Sequence, residues 1–317
     1  MSQIEKGAIK LDQERIKRLL IQDQDFDNYL HSNQTEHTYI KNPLDFMEEV
    51  FDYYENGGVM QGDALGFPKA NSKGIRFQDR QVTIWTGING HGKSLFLSQV
   101  LLHWMTNNDR KVLVISPEMS PKMQIARWVR MTSRSDMPSR EAIADFCHMV
   151  NGKLYLYDFE NAVNRDRIFG ASLYATKELG VKHIVIDSLM KIGDLDSEDY
   201  GGQRAFLNQL CNLAKDQECH VHLVAHSRKA FSEMDRPNKM DVLGSSNMVN
   251  QVDQVLCVWR NKKKEDVDPN LLEEDQQKEY AITPDAEVFV QKNRHGDFEG
   301  KLTFWFDLPS LTYRDKP

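Results

Sequence analysis

The chain has 317 residues, of which 27% are charged and 40% hydrophobic, and its formal net charge is −7. That is ordinary for a globular protein and long enough for one large domain with an extension. It excludes a membrane-spanning helix, because no apolar run approaches ~20 residues, and it gives no global attraction to nucleic acid, so such a contact would need a local basic surface. Cys147, Cys211, Cys219 and Cys257 form no C-x-x-C pair. Neither a zinc site nor a redox dithiol is indicated, and each reads as a small buried hydrophobe. Residues Met1 to Lys6 carry no signal-peptide pattern, so a cytoplasmic location is expected.

Residues 1–60 read as a helical N-terminal arm or linker, and 61–317 as the main domain. In the arm, Leu11, Ile16, Leu19 and Leu20 can form one narrow face. From Pro43 to Tyr54, Leu44, Met47, Val50, Phe51 and Tyr54 recur at helical spacing with acids opposite. Such a helix packs by default on its own core; the alternative is an arm docked on a neighbouring subunit. Residues 55–80, rich in Gly and polar residues, read as loops.

From residue 81 strands and helices alternate. The run Gln81–Thr86 is a buried strand, and Leu95–Met105 is a helix. Between them lies Gly87-Ile88-Asn89-Gly90-His91-Gly92-Lys93-Ser94, which fits the phosphate-binding pattern G-x-x-x-x-G-K-[ST]. Its glycines let backbone N–H groups wrap phosphate oxygens, and the following helix points its positive end at them. Lys93 reaches the β/γ-phosphates, and the Ser94 hydroxyl is placed for Mg²⁺. Further strands are expected at 111–116, 154–157, 183–187 and 220–226, with helices at about 120–133, 138–150, 164–180 and 203–217. Strict alternation predicts an α/β fold with a mostly parallel sheet covered on both faces. A basic loop then runs to about 246, a short helix leads into a strand at 254–260, and the charged segment Lys262–Tyr280 reads as a solvated insertion. Residues 287–294 and 301–306 read as a β-hairpin.

Several residues carry candidate chemistry. Asp187 ends an apolar strand at the ligand-bearing edge, where a Mg²⁺ partner is favoured over a helix cap. Glu118 also ends a strand; alone it serves equally as general base or helix cap, with Glu160 as its competitor. His226 ends the fifth strand and can reach a γ-phosphate, whereas His220 and His222 read as structural. Lys292 and Arg294 lie two apart on a strand, hence on one face. They are either a solvated pair or a finger supplied to a neighbour. Arg228, Lys229, Arg236 and Lys239, with the backbone of Gly244 and Ser245, suit a nucleic-acid phosphate chain.

In this order the segments resemble the RecA-like motor domain of the DnaB family of hexameric replicative helicases, over about residues 80–307. The likeness is strongest to the helicase halves of phage primase-helicases and of Twinkle. Ser116-Pro117-Glu118-Met119 resembles the segment bearing the family's catalytic base, and Val185-Ile186-Asp187-Ser188-Leu189 its Walker B strand. Ala225-His226-Ser227-Arg228 resembles the phosphate sensor, and Lys292-Asn293-Arg294 the trans-acting finger with its companion. Leu243-Gly244-Ser245-Ser246 and Asp253-Gln254-Val255-Leu256 also match. Arg260 falls where the family sets an arginine against the nucleotide base. Asn250, His91 and the insertion depart from the pattern.

The resemblance implies a RecA-like P-loop core with a C-terminal hairpin and an ATP-driven DNA helicase that uses ATP or another NTP with Mg²⁺. It implies a homo-oligomeric ring of six on single-stranded DNA, with primase and polymerase as partners and, for a phage protein, the host cytoplasm as location. Glu118, Lys93, His226, Lys292 and Arg294 become catalytic candidates, and the basic loop a DNA-contacting one. Primase activity is not expected. The alternatives are a filament-forming recombinase or other DNA-dependent ATPase, and an ATP-binding loader or regulatory subunit.

Overall fold

The computed structural model describes residues 43–55, 61–159, 163–195, 199–226 and 246–317. Its strands are β1 (Asp63–Ala64), β2 (Arg76–Phe77), β3 (Val82–Thr86), β4 (Val112–Ile115), β5 (Leu154–Leu156), β6 (His183–Asp187), β7 (His220–Val224), β8 (Gln254–Arg260), β9 (Ala286–Asn293), β10 (Gly300–Asp307) and β11 (Thr312–Arg314). The helices are α1 (Met47–Glu55), α2 (Pro68–Asn71), α3 (Lys93–Asn107), α4 (Pro121–Ser133), α5 (Arg140–Met149), α6 (Arg165–Leu179), α7 (Tyr200–Asp216), α8 (Ser246–Gln251), α9 (Lys262–Glu265) and α10 (Glu274–Ile282).

A nine-stranded sheet runs in the order β11-β10-β9-β8-β3-β7-β6-β4-β5. From β5 to β8 the neighbours are parallel; β9, β10 and β11 extend the sheet antiparallel. Every residue of β3, β6 and β7 is buried, as helices on both faces require. Side-chain alternation divides the core. Ile84, Ile184 and Ile186 face a cluster with Phe206 and Leu210 of α7 and Ile168 of α6. Trp85 and Val185 face another with Phe96 and Trp104 of α3, Trp128 of α4 and Phe304 of β10.

A polar thread crosses the second cluster. Trp85 Nε1–H donates to His222 Nδ1 at 3.2 Å, and His222 Nε2 lies 3.1 Å from His183 Nδ1. His183 Nε2 lies 2.9 Å from Asp63 Oδ2. Tryptophan only donates and a carboxylate only accepts, so every proton points from Trp85 toward Asp63 and both imidazoles are neutral. Burial pushes Asp63 up, yet hydrogen bonds from His183, Asn108 and Arg110 outweigh it and hold the carboxyl at about 2. His220 and His222 are structural as expected, both fully buried.

The alternating elements fall where the periodicity puts them. Four expectations are corrected. Residues 55–80 are more than loops: β1 pairs with β2, and Leu65, Phe67, Ala70, Ile75 and Phe77 are buried. Strands two residues long leave no period to read. Helix α1 buries none of its described side chains; Val50, Phe51 and Tyr54 are exposed. Its apolar stripe is real, but a stripe does not say which surface covers it. The insertion folds into α9 and α10, and Lys264 is buried through an ion pair with Asp285 at 2.7 Å. Cys219 and Cys257 are buried, but Cys147 is exposed; its place on α5 decides this, and composition cannot. Residues 1–42, Glu160 and the basic loop 227–245, with Arg228, Lys229, Arg236, Lys239, Gly244 and Ser245, lie outside the described residues. Among the described residues no helix is long and apolar enough to cross a membrane.

Candidate functional site

The phosphate-loop sequence joins the C-terminal end of β3 to α3. Gly87 has φ +142°, and a Cβ there would stand 2.2 Å from the Val258 carbonyl oxygen of β8. Gly92 has φ +83°, and a Cβ there would meet the Tyr313 hydroxyl at 2.7 Å. Both positions therefore demand glycine. Strand β11, which the periodicity missed, backs the loop: Tyr313 and Gln99 of α3 exchange hydrogen bonds of 2.6 and 2.9 Å. Burial pushes the Tyr313 hydroxyl up to about 12. The bulky His91 is fully buried, and its Nδ1 accepts the Arg260 N–H at 3.1 Å, tying the loop to the end of β8. Helix α3 carries no acid in its first turn, so its positive end is uncompensated and suits an anion.

Strands β3, β4, β6 and β7 end on this same edge and converge their last side chains. Lys93 Nζ donates to the Gly87 and Ile88 carbonyls, both at 3.0 Å, and to His226 Nδ1 at 3.3 Å. An ammonium only donates, so His226 accepts at Nδ1 and carries its proton on Nε2. That proton faces Glu118 Oε1 at 3.2 Å. The Ser188 hydroxyl donates to the same oxygen at 2.5 Å. The Glu118 carboxylate turns to Ser188 and His226, and no side chain caps α4. The turn that presents it is held by Met119, whose N–H bonds Ser116 Oγ at 3.2 Å and whose carbonyl takes Gln124 Nε2 at 2.7 Å. The His226 hydrogen bond, against burial and helped by Ser188 and Lys93, lowers Glu118 to about 2.

Asp187 is buried, and its Oδ1 has no hydrogen-bond partner among the described residues; the neighbouring Ser94 side chain works against the burial that raises its pKa. Burial raises its pKa, so a cation would be a favourable neighbour. A hydroxyl and a carboxylate are hard oxygen donors, and Mg²⁺ takes few protein ligands. Ser94 and Asp187 therefore fit it. Burial lowers the Lys93 pKa, while Asp187 and Glu118 raise it.

Lys292 and Arg294 share a side, but not this edge. Lys292 Nζ donates to the carbonyls of Val249, Asn250 and Val252 at 2.8, 3.2 and 2.7 Å. Arg294 bonds the Asn250 carbonyl at 2.9 Å and Asp253 Oδ1 at 3.2 Å. Asp253 is hydrogen-bonded to Val82, at the start of β3. The phosphate loop begins after its end, about 16 Å along the strand. Arg260 does lie at the loop edge. Its guanidinium sits 5.5 Å from the Phe306 ring centroid and pairs with Glu265. Ser188 and Glu265 were missed in the sequence. The first had a signal, a hydroxyl directly after the strand-end acid; the second had none, because the insertion belongs to no pattern.

The family model for an AAA domain matches residues 73–231, half of the chain. The fold is similar to that of a solved ATPase domain, at TM-score 0.70 and 16% identity, over 87% of this chain and 99% of that one. It is also similar to a DnaB-like replicative helicase whose structure describes its interactions with primase, at TM-score 0.66 and 17% identity, over 98% of this chain and 76% of that one. With its phosphate loop, its mostly parallel sheet and the converging acids at one edge, the chain belongs to the AAA domain family, as a nucleotide-binding domain on the RecA-like fold it shares with DnaB-like replicative helicases.

Proposed function

We propose that the chain is an ATP-driven DNA helicase motor that assembles into a ring of six and moves along single-stranded DNA. One observation carries this reading. Loop, candidate base and candidate sensor meet at one edge of the sheet, while Lys292 and Arg294 stand at the other. An arginine so placed cannot serve its own phosphate loop and can serve a neighbour's.

In this reading Gly87 to Ser94 hold the phosphates and Lys93 neutralises them. Glu118 orients and deprotonates the attacking water. His226, bridging Lys93 and Glu118, senses which of them is engaged by the γ-phosphate. Ser94 and Asp187 would hold Mg²⁺, which supplies charge neutralisation on the phosphate oxygens. Arg260 faces the base. Arg294 completes the adjacent subunit's site, with Lys292 fixing the carbonyls beside it. The 227–245 loop, with Arg228, Lys229, Arg236 and Lys239, contacts DNA phosphates. Residues 1–60 form an arm that docks on a neighbour. The similar structure that describes interactions with primase supports primase as a partner.

Mixing variants tests the reading. Lys93→Ala subunits keep a good Arg294, and Arg294→Ala subunits keep a good loop. Each alone should hydrolyse ATP at least about 10³-fold slower than wild type, the size such fingers reach. Mixtures should recover DNA-stimulated ATPase through interfaces that join the two good halves. Confirmed subunit exchange with no recovery at any ratio would overturn the trans assignment.

A further inference from the structure

The insertion that belongs to no pattern touches the nucleotide edge at one residue. Glu265, at the end of α9, places Oε1 on Arg260 Nε and Oε2 at 3.2 Å from Lys262 Nζ. Arg260 is thereby held between a carboxylate and the Phe306 ring, with 29% of its side chain still exposed. Its backbone N–H is the group that His91 of the phosphate loop accepts. One residue thus joins loop, ring and insertion.

Glu265 is itself fixed. Asn261 caps α9, accepting the Lys264 N–H at 3.2 Å, and Asn261 donates to the Asp285 and Pro284 carbonyls at 2.8 and 3.2 Å. Lys264 Nζ bonds Asp285 at 2.7 Å and the Thr283 carbonyl at 2.6 Å, and lies 4.5 Å from the Tyr280 ring centroid. Trp305 Nε1 of β10 donates to the Ala281 carbonyl at 3.0 Å. The insertion is bolted to the β8–β9 and β10 backbones, so Glu265 is a rigid partner. A guanidinium is planar and stacks on flat π-systems. Unrestrained, it loses that orientation to side-chain entropy each time it must stack.

We infer that Glu265 is a positioning residue for nucleotide-base recognition: it presets the Arg260 guanidinium over the Phe306 ring, so that the insertion is a base-side clamp of the nucleotide site. The inference rests on the proposed reading of this edge as the ATP site, with Arg260 toward the base.

Titration calorimetry with Mg²⁺ and two ligands separates base from phosphates. A non-hydrolysable ATP analogue carries both, and inorganic tripolyphosphate only the second. Glu265→Gln keeps shape and removes charge. It should weaken the analogue by about 3–30-fold, the range a stacked guanidinium supplies, and leave tripolyphosphate unchanged. The loss should vanish in an Arg260→Ala background. An unchanged analogue affinity, an equal loss on both ligands, or a loss that persists without Arg260 would each overturn the clamp. If Arg260→Ala alone leaves the analogue affinity intact, Arg260 does not face the base, and the clamp falls with that assignment. Thermal melting of Glu265→Gln, and a second variant, Glu265→Asp, guard against simple misfolding. Glu265→Asp keeps the charge on a shorter arm and should lie between the two.

Discussion

Lys93 and Glu118 meet His226 from opposite sides, and the donor inventory alone fixes which way its proton points. In the proposed reading, phosphate oxygens would compete for the same Lys93 ammonium that His226 now accepts from. In that reading, binding and water activation are assigned to different residues, so they should separate in variants. Lys93→Ala should weaken nucleotide binding and abolish hydrolysis. Glu118→Gln should bind normally and turn over about 10²–10⁴-fold more slowly, measured by steady-state ATPase beside equilibrium binding; wild-type turnover would remove Glu118 as base. Ser188 is fully buried, with its hydroxyl on Glu118. A hydrogen bond to a charged group contributes about 1.5–3 kcal/mol. Ser188→Ala should therefore lower kcat roughly 10-fold or more with little change in nucleotide affinity, and Ser188→Thr should restore much of it. A KM effect without a kcat effect would mean that Ser188 does not act through Glu118.

At the scale of elements, the buried histidines of β7 make stability depend on pH. Burial lowers His220 to about 3 and His222 well below 6.5. Their folded pKa values are depressed, so they resist protonation in the native state and accept it in the unfolded one. Their contribution is fully present above about pH 6.5 and is lost as pH falls from there toward 3, at about 1.4 kcal/mol per pH unit for each extra proton. Asp63, held at about 2, adds its loss only between 3.8 and 2. Urea midpoints should hold above pH 7 and drop from 6.5 to 4, and His222→Asn should flatten part of that slope. A slope indifferent to His222 would sink the assignment. The same strands show why much of the fold was legible. β3, β4, β6 and β7 are apolar runs flanked by long helical periods, and Glu118, Asp187 and His226 sit where β4, β6 and β7 stop. What could not be read was the company a residue keeps. Neither the two-residue strands β1 and β2 nor Tyr313 behind Gly92 leaves a periodic trace. The partnership of Arg260 with Glu265 likewise depends on how a segment of no recognisable pattern folds back.

On the whole molecule, among the described residues, several exposed apolar side chains fall on α1 and the turn just before it. Leu44, Val50, Phe51 and Tyr54 are 76, 49, 52 and 76% exposed, and apolar side chains left exposed at helical spacing suit an interaction surface. Because α1 buries none of its described side chains in its own chain, charging it should not unfold the domain. Val50→Glu with Phe51→Glu should leave the melting temperature of the monomer unchanged while shifting the protein toward monomers in sedimentation. DNA-stimulated ATPase should fall with assembly. An unchanged oligomer would mean that the arm covers something else.

The separation of Arg294 from the phosphate loop also has a consequence for symmetry. If the two work together, the contact is heterologous, one surface meeting a different one. A two-fold pair would bring like surfaces together and complete neither site. Copies must instead follow one another by a repeated rotation, head to tail. If that rotation does not close, the array grows as a helix and one terminal site stays incomplete at any length. If it closes, every site is complete, and the last subunit to join activates two interfaces at once.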